Sequence, residues 1–159
     1  MTDDERKEIA TLAALCNAHE ELALKLSIGM RRPEAAEIVE TGDERIPYLV
    51  AAPTMRVPMV LHESVNAYMA VRAVLLLVRH GVFRAGQHQG QPVADHVRTV
   101  AFPRMGTGVG RIGANTCARQ MRAAFADVLF GQYSMPQSWA EASERRQLLY
   151  TDRPRRLQY

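Results

Sequence analysis

The residues best suited to chemistry form one glycine-rich stretch, Gly106-Thr107-Gly108-Val109-Gly110-Arg111. Residues 99–103 before it are a short apolar run with β-branched side chains, which predicts a buried strand. A helical pattern follows it, to Gly131. A strand, a glycine turn and a helix point free backbone N–H groups and the positive end of the helix at an anion. Glycine suits such a turn because it accepts positive φ and has no Cβ to block a ligand. The alternative is a tight connection that binds nothing.

Histidine and cysteine residues predict no metal site. The spacing of His80, His88 and His96 fits no zinc pattern, and we interpret the loop histidines as solvated. Cys16 and Cys117 fall in apolar helical patterns, which predicts buried free thiols and no disulfide framework. We therefore expect neither a metal nor a cofactor.

The elements that must position the glycine stretch begin with a helix and a hairpin. Thr2 and Glu5 form a capping box that opens an amphipathic helix over residues 1–30. Strands are predicted at residues 35–41 and 48–53, joined by a short turn.

Further helices are predicted downstream. One begins at Ser64 and is well buried, because apolar residues nearly surround it. A loop spans residues 81–95, and a short helix contains Trp139 and Leu148. Residues 151–159 form a basic tail, in which a few arginines give only weak support for nucleic-acid contact, so no such partner is expected.

The composition is that of an ordinary globular domain. The chain has 159 residues, of which 47% are apolar and 23% charged, enough for one core. All but two of its 20 basic residues are arginines, which suits a phosphate ligand and equally an arginine-rich surface. The acidic start is unlike a signal peptide, and the longest apolar run, residues 73–78, is too short to span a bilayer. We expect a soluble cytoplasmic protein without a membrane partner.

The glycine stretch, together with Phe102 and Pro103, resembles the diphosphate-binding loop of macro domains, the α/β modules that bind ADP-ribose. Three further segments are similar to a bacterial and phage-type branch of that family: residues 48–58 (YLVAAPTMRVP), 65–68 (VNAY) and 117–124 (CARQMRAA). The resemblance covers about residues 35–150.

This resemblance implies a three-layer α/β/α fold with a reduced, mostly parallel sheet over a core of residues 31–150. The long N-terminal helix precedes that core and the basic tail follows it. The resemblance also implies that the diphosphate of ADP-ribose, or of a related nucleotide, binds to Gly106, Thr107, Gly108, Val109, Gly110 and Arg111.

The chain departs from the family at its front. Macro domains usually begin with strands that carry an adenine-contacting acid and with an Asn-rich loop for the distal ribose, and nothing before residue 35 matches them. Arg111-Ile112-Gly113 also replaces the usual Gly, bulky apolar residue and Pro. Because a strand is missing from the middle of such a sheet, residues 48–53 and 99–103 must pair directly or another chain must fill the gap. We therefore predict an obligate oligomer, such as a homodimer.

Three functions remain open. The first is a module that binds ADP-ribose or a related nucleotide. The second is an ADP-ribosyl hydrolase or related phosphoesterase, with Glu63, Asp95 and His62 as candidate acids or bases, although each also fits an ordinary surface residue. The third is a non-catalytic interaction or oligomerisation protein on a degenerate macro scaffold. The family's usual catalytic residues have no counterpart here, so the catalytic residues are unknown.

Overall fold

The computed structural model of the chain describes residues 36–55 and 57–151, together with Asp3, Asp4, Arg6, Lys7 and Ala10, which are helical. Most of the helix predicted over residues 1–30 lies outside the described residues. The same holds for Cys16 and for the basic tail from residue 152 onward.

The first described element after these is an antiparallel hairpin, as predicted. Its strands are β1 (Glu37–Glu40) and β2 (Tyr48–Ala51). The turn between them is held by Asp43, whose Oδ1 accepts two backbone N–H groups at 2.8 and 2.9 Å. Such a local side-chain bond favours a turn over a continued strand.

In the described part of the chain, four helices follow the hairpin. They are α1 (Asn66–His80), α2 (Val93–His96), α3 (Ala114–Leu129) and α4 (Trp139–Tyr150). The helices predicted after Ser64, after the glycine stretch and around Trp139 are confirmed, whereas α2 forms inside the predicted loop. Across residues 36–55 and 57–151, no helix is both long and apolar enough to cross a membrane.

The core is built around α1, which packs on two sides. Towards its end, Leu77 and Val78 contact a cluster of hairpin and α2 residues that contains Ile38, Phe83 and Val93. Nearer its middle, α1 packs against α3 through Val71, Leu75, Ala124 and Val128. The fully buried Ala67 and Ala70 of α1 let neighbouring elements approach it closely. The fold therefore combines helices with a small sheet.

Residues 99–103, predicted as a strand, are not one in the structure. Their backbone N–H and C=O groups have no ladder partner among the residues that the structure describes, and a strand exists only where a neighbour pairs with it. Phe102 nevertheless packs into the cluster between α1 and α3, in an edge-to-face contact with Phe125. The mostly parallel sheet is likewise not seen, because the described strands form one antiparallel pair.

A fully buried side chain, that of Gln120, ties three helices together. Its Oε1 accepts the N–H of Tyr68, a first-turn donor of α1 that has no partner within its own helix. Its Nε2 donates to the carbonyls of Ser64 at 2.6 Å and of Leu149 at 3.3 Å. The three hydrogen bonds of this amide therefore fix the start of α1 and the end of α4.

A second polar link joins α1 to α3. The phenol of Tyr68 donates to Oδ2 of Asp127 at 2.6 Å. Burial, and next this hydrogen bond, raise the pKa of Tyr68 above its ordinary value, because both disfavour the phenolate.

Candidate functional site

The glycine loop, residues 106–111, closes on itself before α3 begins. The N–H of Ile112 donates to the carbonyl of Gly106 at 3.1 Å, and that of Arg111 to the carbonyl of Gly108 at 3.0 Å. The hydroxyl of Thr107 donates to the carbonyl of Arg104 at 3.2 Å. These bonds define a compact turn whose outer residues face solvent.

A second loop lies beside it and is bonded to it. The N–H of Leu61 donates to the carbonyl of Gly110 at 2.8 Å. The side-chain amide of Asn66, at the start of α1, donates to the carbonyl of Thr54 at 2.7 Å. The sequence links these segments only through the family resemblance, and the structure brings them together at one end of α1 and α3.

The floor beneath the glycine loop is apolar and rich in sulfur. Leu61, Ala67, Ile112 and Cys117 form a buried cluster, and three methionines pack against it: Met55, Met105 and Met121. The Cys117 thiol is buried and donates to the carbonyl of Met105 at 3.3 Å. The predicted buried free thiol is confirmed at this position.

Two glycines of the loop have structural explanations. Gly106 has a φ of +74°, and a Cβ there would lie 2.7 Å from Ile112 Cδ1. A Cβ on Gly110 would lie 2.5 Å from the backbone oxygen of Gly106 and 3.0 Å from Leu61 Cδ1. At Gly106 the positive φ disfavours any side chain, and at Gly110 a Cβ would meet the backbone of the turn itself.

Gly108 has no such explanation. No atom lies within 4 Å of the place where its Cβ would stand, and its φ is outside the left-handed region. Nothing in its described surroundings requires the absence of a side chain. A ligand that approaches the backbone closely would require it.

Unpaired backbone donors lie on both sides of Gly108. The N–H groups of Thr107, Gly108 and Val109 have no acceptor among the described residues, nor have those of the first three residues of α3, 114–116. The α3 start has no side-chain cap and no acidic residue in its first turn. Its partial positive charge is therefore not offset locally, which favours an anion at this position.

Two arginines add positive charge to the loop. The side chains of Arg104 and Arg111 are exposed, and neither forms an ion pair within the described part of the chain. Arg111 has a φ of +53°, a conformation that costs a non-glycine residue energy. Glu63, in the neighbouring loop, is also left-handed, at +47°. Backbone strain of this kind is concentrated at functional sites.

The three candidate acids and bases are placed differently. His62 and Glu63 are exposed and directly follow Leu61, so they lie in the loop that bonds to Gly110. Asp95 lies on α2, whose buried Val93 packs with the hairpin cluster instead of the floor of the glycine loop. The structure therefore associates two of the three with the loop.

The loop histidines are less solvated than predicted. The rings of His88 and His96 stack at 3.9 Å, and both contact Phe83. No group of three or more possible metal ligands occurs within the described ranges. The pair therefore packs against the hairpin side of the molecule, and the sequence offered no signal for the stacking.

Sequence reasoning missed the floor residues Met55 and Leu61, because only the folded chain places these two side chains under residues 106–110.

Comparisons of this chain with protein-family models, curated proteins and solved structures found no match.

Proposed function

We propose that the glycine loop binds the diphosphate of ADP-ribose or of a related nucleotide. One observation carries this proposal: Gly108 is open, without a packing or conformational role, and is surrounded by unbonded N–H groups beside an uncapped helix start. A diphosphate supplies several acceptors and a charge of the sign that this arrangement favours.

The expected affinity is moderate. Hydrogen bonds to a charged group contribute about 1.5–3 kcal/mol each, and the exposed guanidinium groups of Arg104 and Arg111 can add to them. The described residues offer no counterpart of the family's Asn-rich loop for the ribose, so the loop contributes most of the recognition.

The macro-domain resemblance is also the basis for the architecture that we propose, a three-layer fold with a mostly parallel sheet. In that arrangement residues 99–103 become a strand once a neighbouring strand pairs with them. Support comes from the order of elements, since the apolar run, glycine loop and α3 follow one another directly. Phe102 is packed against α3 as a strand residue in such a unit would be.

A thermal-shift series with ADP-ribose, ADP, NAD and buffer tests the binding proposal. At a hundredfold excess over Kd, a ligand of the native state adds about 2.7 kcal/mol, which corresponds to an increase in Tm of about 5–10 °C. Gly108→Glu should abolish the shift while leaving the unliganded Tm unchanged, because the new side chain meets no protein atom near its Cβ.

Gln89→Glu provides the matched control. It adds the same charge at an exposed position in the loop before α2, away from the glycine loop, and should leave the shift intact. A chain that shows no shift with any of the three nucleotides, or a Gly108→Glu variant that binds as well as the parent chain, would rule the proposal out.

The hydrolase hypothesis has support only from the position of His62 and Glu63. A turnover assay with ADP-ribosylated protein or DNA distinguishes hydrolysis from binding. A double variant, His62→Ala and Glu63→Gly, should remove the activity and keep the ADP-ribose thermal shift if these residues act on bound substrate.

A scaffold function is favoured by a separate observation. Large apolar side chains are exposed between the end of α3 and the start of α4, far in sequence from the glycine loop. Proteins expose such groups together mainly where they meet a partner.

A further inference from the structure

The chain exposes a run of large apolar side chains that the nucleotide proposal does not use. In the segment from residue 129 to residue 139, Phe130 is 70%, Met135 75% and Trp139 87% exposed, and Leu129 and Tyr133 are also exposed. These groups follow one another on one short connection. A monomer gains nothing from holding them in water, so they mark an interaction surface.

An open groove of about 520 Å³ lies next to this segment, along α3. Its apolar lining consists of Ala118, Met121, Phe125, Ala126 and Phe130. The adjoining face of α3, which includes Ala124 and Val128, is buried against α1, and Met121 and Phe125 contact both that core and the groove. The apolar surface of α3 therefore extends beyond the part that α1 covers.

We propose that a second copy of this chain fills the groove with its Trp139. The indole does not fill the groove of its own chain, since it is 87% exposed. A chain that carries both an exposed aromatic knob and an apolar hole is complementary to itself. A two-fold axis then makes the same contact twice, which is the commonest way in which identical chains associate.

The knob and the hole are held in a fixed relation to each other. Arg119 of α3 donates to the carbonyls of Leu148 and Thr151 at the end of α4, at 3.0 and 2.8 Å. At its other end, α4 is capped by Ser138, whose hydroxyl accepts the N–H of Glu141, and Arg145 of α4 donates to the carbonyl of Ser134 in the connection from α3, at 2.6 Å. Because α4 packs on α3 in this way, Trp139 and the groove are parts of one rigid surface, which lowers the entropy cost of association.

A cation in the groove favours the same occupant. Arg122 lines the groove, is exposed and has no ion pair with any described residue. Glu141 is folded back over the start of α4, where its Oε2 accepts the N–H of Gln137 at 2.6 Å. The other oxygen of that carboxylate pairs with Arg145, so the group that an α4 docked by its first turn offers to Arg122 is the indole, over whose electron-rich face the guanidinium can lie.

Trp139 is the only tryptophan in the chain, so its emission reports the contact directly. In the parent chain, dilution should shift the emission to longer wavelength in parallel with dissociation of a dimer in sedimentation velocity. Trp139→Ala removes the knob and Ala126→Arg fills the hole. Each should weaken the dimer about 30-fold or more, as expected for an aromatic anchor residue. Val57→Ala, at another exposed apolar residue, should leave it unchanged.

Mixing the two variants makes the test decisive. The Ala126→Arg chain has the only tryptophan in the mixture, and the Trp139→Ala chain has the only open groove, so one of the two contacts is restored. Emission of the mixture should shift to shorter wavelength and a heterodimer should appear, with affinity between that of the variants and the parent. Misfolding of either variant cannot produce this rescue.

A parent chain that stays monomeric at about 100 μM would overturn the proposal. So would a dimer whose affinity neither variant changes, or a mixture that shows no rescue. Since none of these results depends on nucleotide, failure here is distinguishable from failure of the diphosphate site.

Discussion

The N–H of Leu61 donates to the carbonyl of Gly110 at 2.8 Å, and Leu61 Cδ1 lies 3.0 Å from where a Cβ on Gly110 would stand. The two loops at this end of the molecule are thus joined by one bond and one close contact. The glycine loop has its shape because a neighbouring segment, distant in sequence, presses against it.

Gly110→Ala should therefore destabilise the protein by about 2–4 kcal/mol, because its methyl group would meet a backbone oxygen at 2.5 Å. Gly108→Ala is the matched control, since its methyl group enters open space and should change stability by no more than about 1 kcal/mol. Urea unfolding of the three chains measures both values. Equal stabilities for the two alanine variants would show that the loop does not have this packing.

Arg111→Gly should separate the effect of backbone strain on stability from the effect of the guanidinium charge on binding. Glycine accepts the φ of +53° freely, so we expect a gain of about 0.5–1 kcal/mol in the free energy of unfolding. The loss of the guanidinium should lower the affinity for ADP-ribose. Arg104→Ala removes an equal charge at a position without positive φ, and it should weaken binding with no gain in stability. Unfolding and ligand titration of both variants give the comparison.

Gln120→Leu should cost about 2–4 kcal/mol, because it leaves the N–H of Tyr68 and two carbonyls without partners inside the protein. Gln120→Glu should also destabilise, since it keeps the acceptor but places a carboxylate against the carbonyl of Ser64. An exposed glutamine, Gln89, can be changed to Leu as the control. Thermal unfolding of the three variants measures the difference, and a neutral Gln120→Leu would contradict this account.

Tyr68→Phe should reduce stability by about 1–2 kcal/mol at neutral pH through loss of the bond to Asp127. The raised pKa of Tyr68 also predicts a pH effect. Unfolded tyrosine ionises at about pH 10, whereas the folded residue ionises higher, so its contribution is complete below about pH 10 and is lost as the pH rises further. Unfolding free energies measured from pH 8 to 11 should fall less steeply in Tyr68→Phe than in the parent.

Tyr150→Phe is the control for this pH experiment, because Tyr150 lies at the end of α4 and is not among the groups whose charge acts on the Tyr68 phenol, which are Asp127, Arg72 and Tyr133. Its unfolding should follow that of the parent chain over the whole pH range. Parallel curves for all three proteins would remove the link between Tyr68 ionisation and stability.

Elements that neighbouring residues specify, through turn residues or the spacing of apolar side chains, were predicted correctly. The hairpin follows from its short turn, which Asp43 holds, and α4 from the spacing of Trp139 and Leu148; the structure adds the cap that Ser138 supplies. Residues 99–103 show the limit, because an apolar β-branched run predicts a strand but cannot supply the neighbour that makes it one. Gln120 shows a second limit of prediction from sequence. A polar residue in a helical pattern does not reveal that its side chain will bond to three residues that are distant in sequence.

The candidate site also has a part that local sequence predicts and a part that only the fold determines. The glycine loop and the helix after it can be recognised from the residue types and their spacing. The structure adds that conformation or packing explains Gly106 and Gly110, whereas neither explains Gly108. The association of Leu61 and Met55 with the loop depends on tertiary contacts, which no local pattern carries.

The sulfur-rich floor makes the proposed site sensitive to oxidants. Met55, Met105 and Met121 pack against the buried cluster that contains Cys117, and a methionine sulfoxide there would put a polar oxygen into an apolar layer. The glycine loop rests on that layer, and Met105 and Met121 also pack against the α1–α3 core, so oxidation would disturb the loop and that core together. Such damage is reversible by methionine sulfoxide reductases, and ligand binding would then depend on the redox state of the cell as well as on nucleotide concentration.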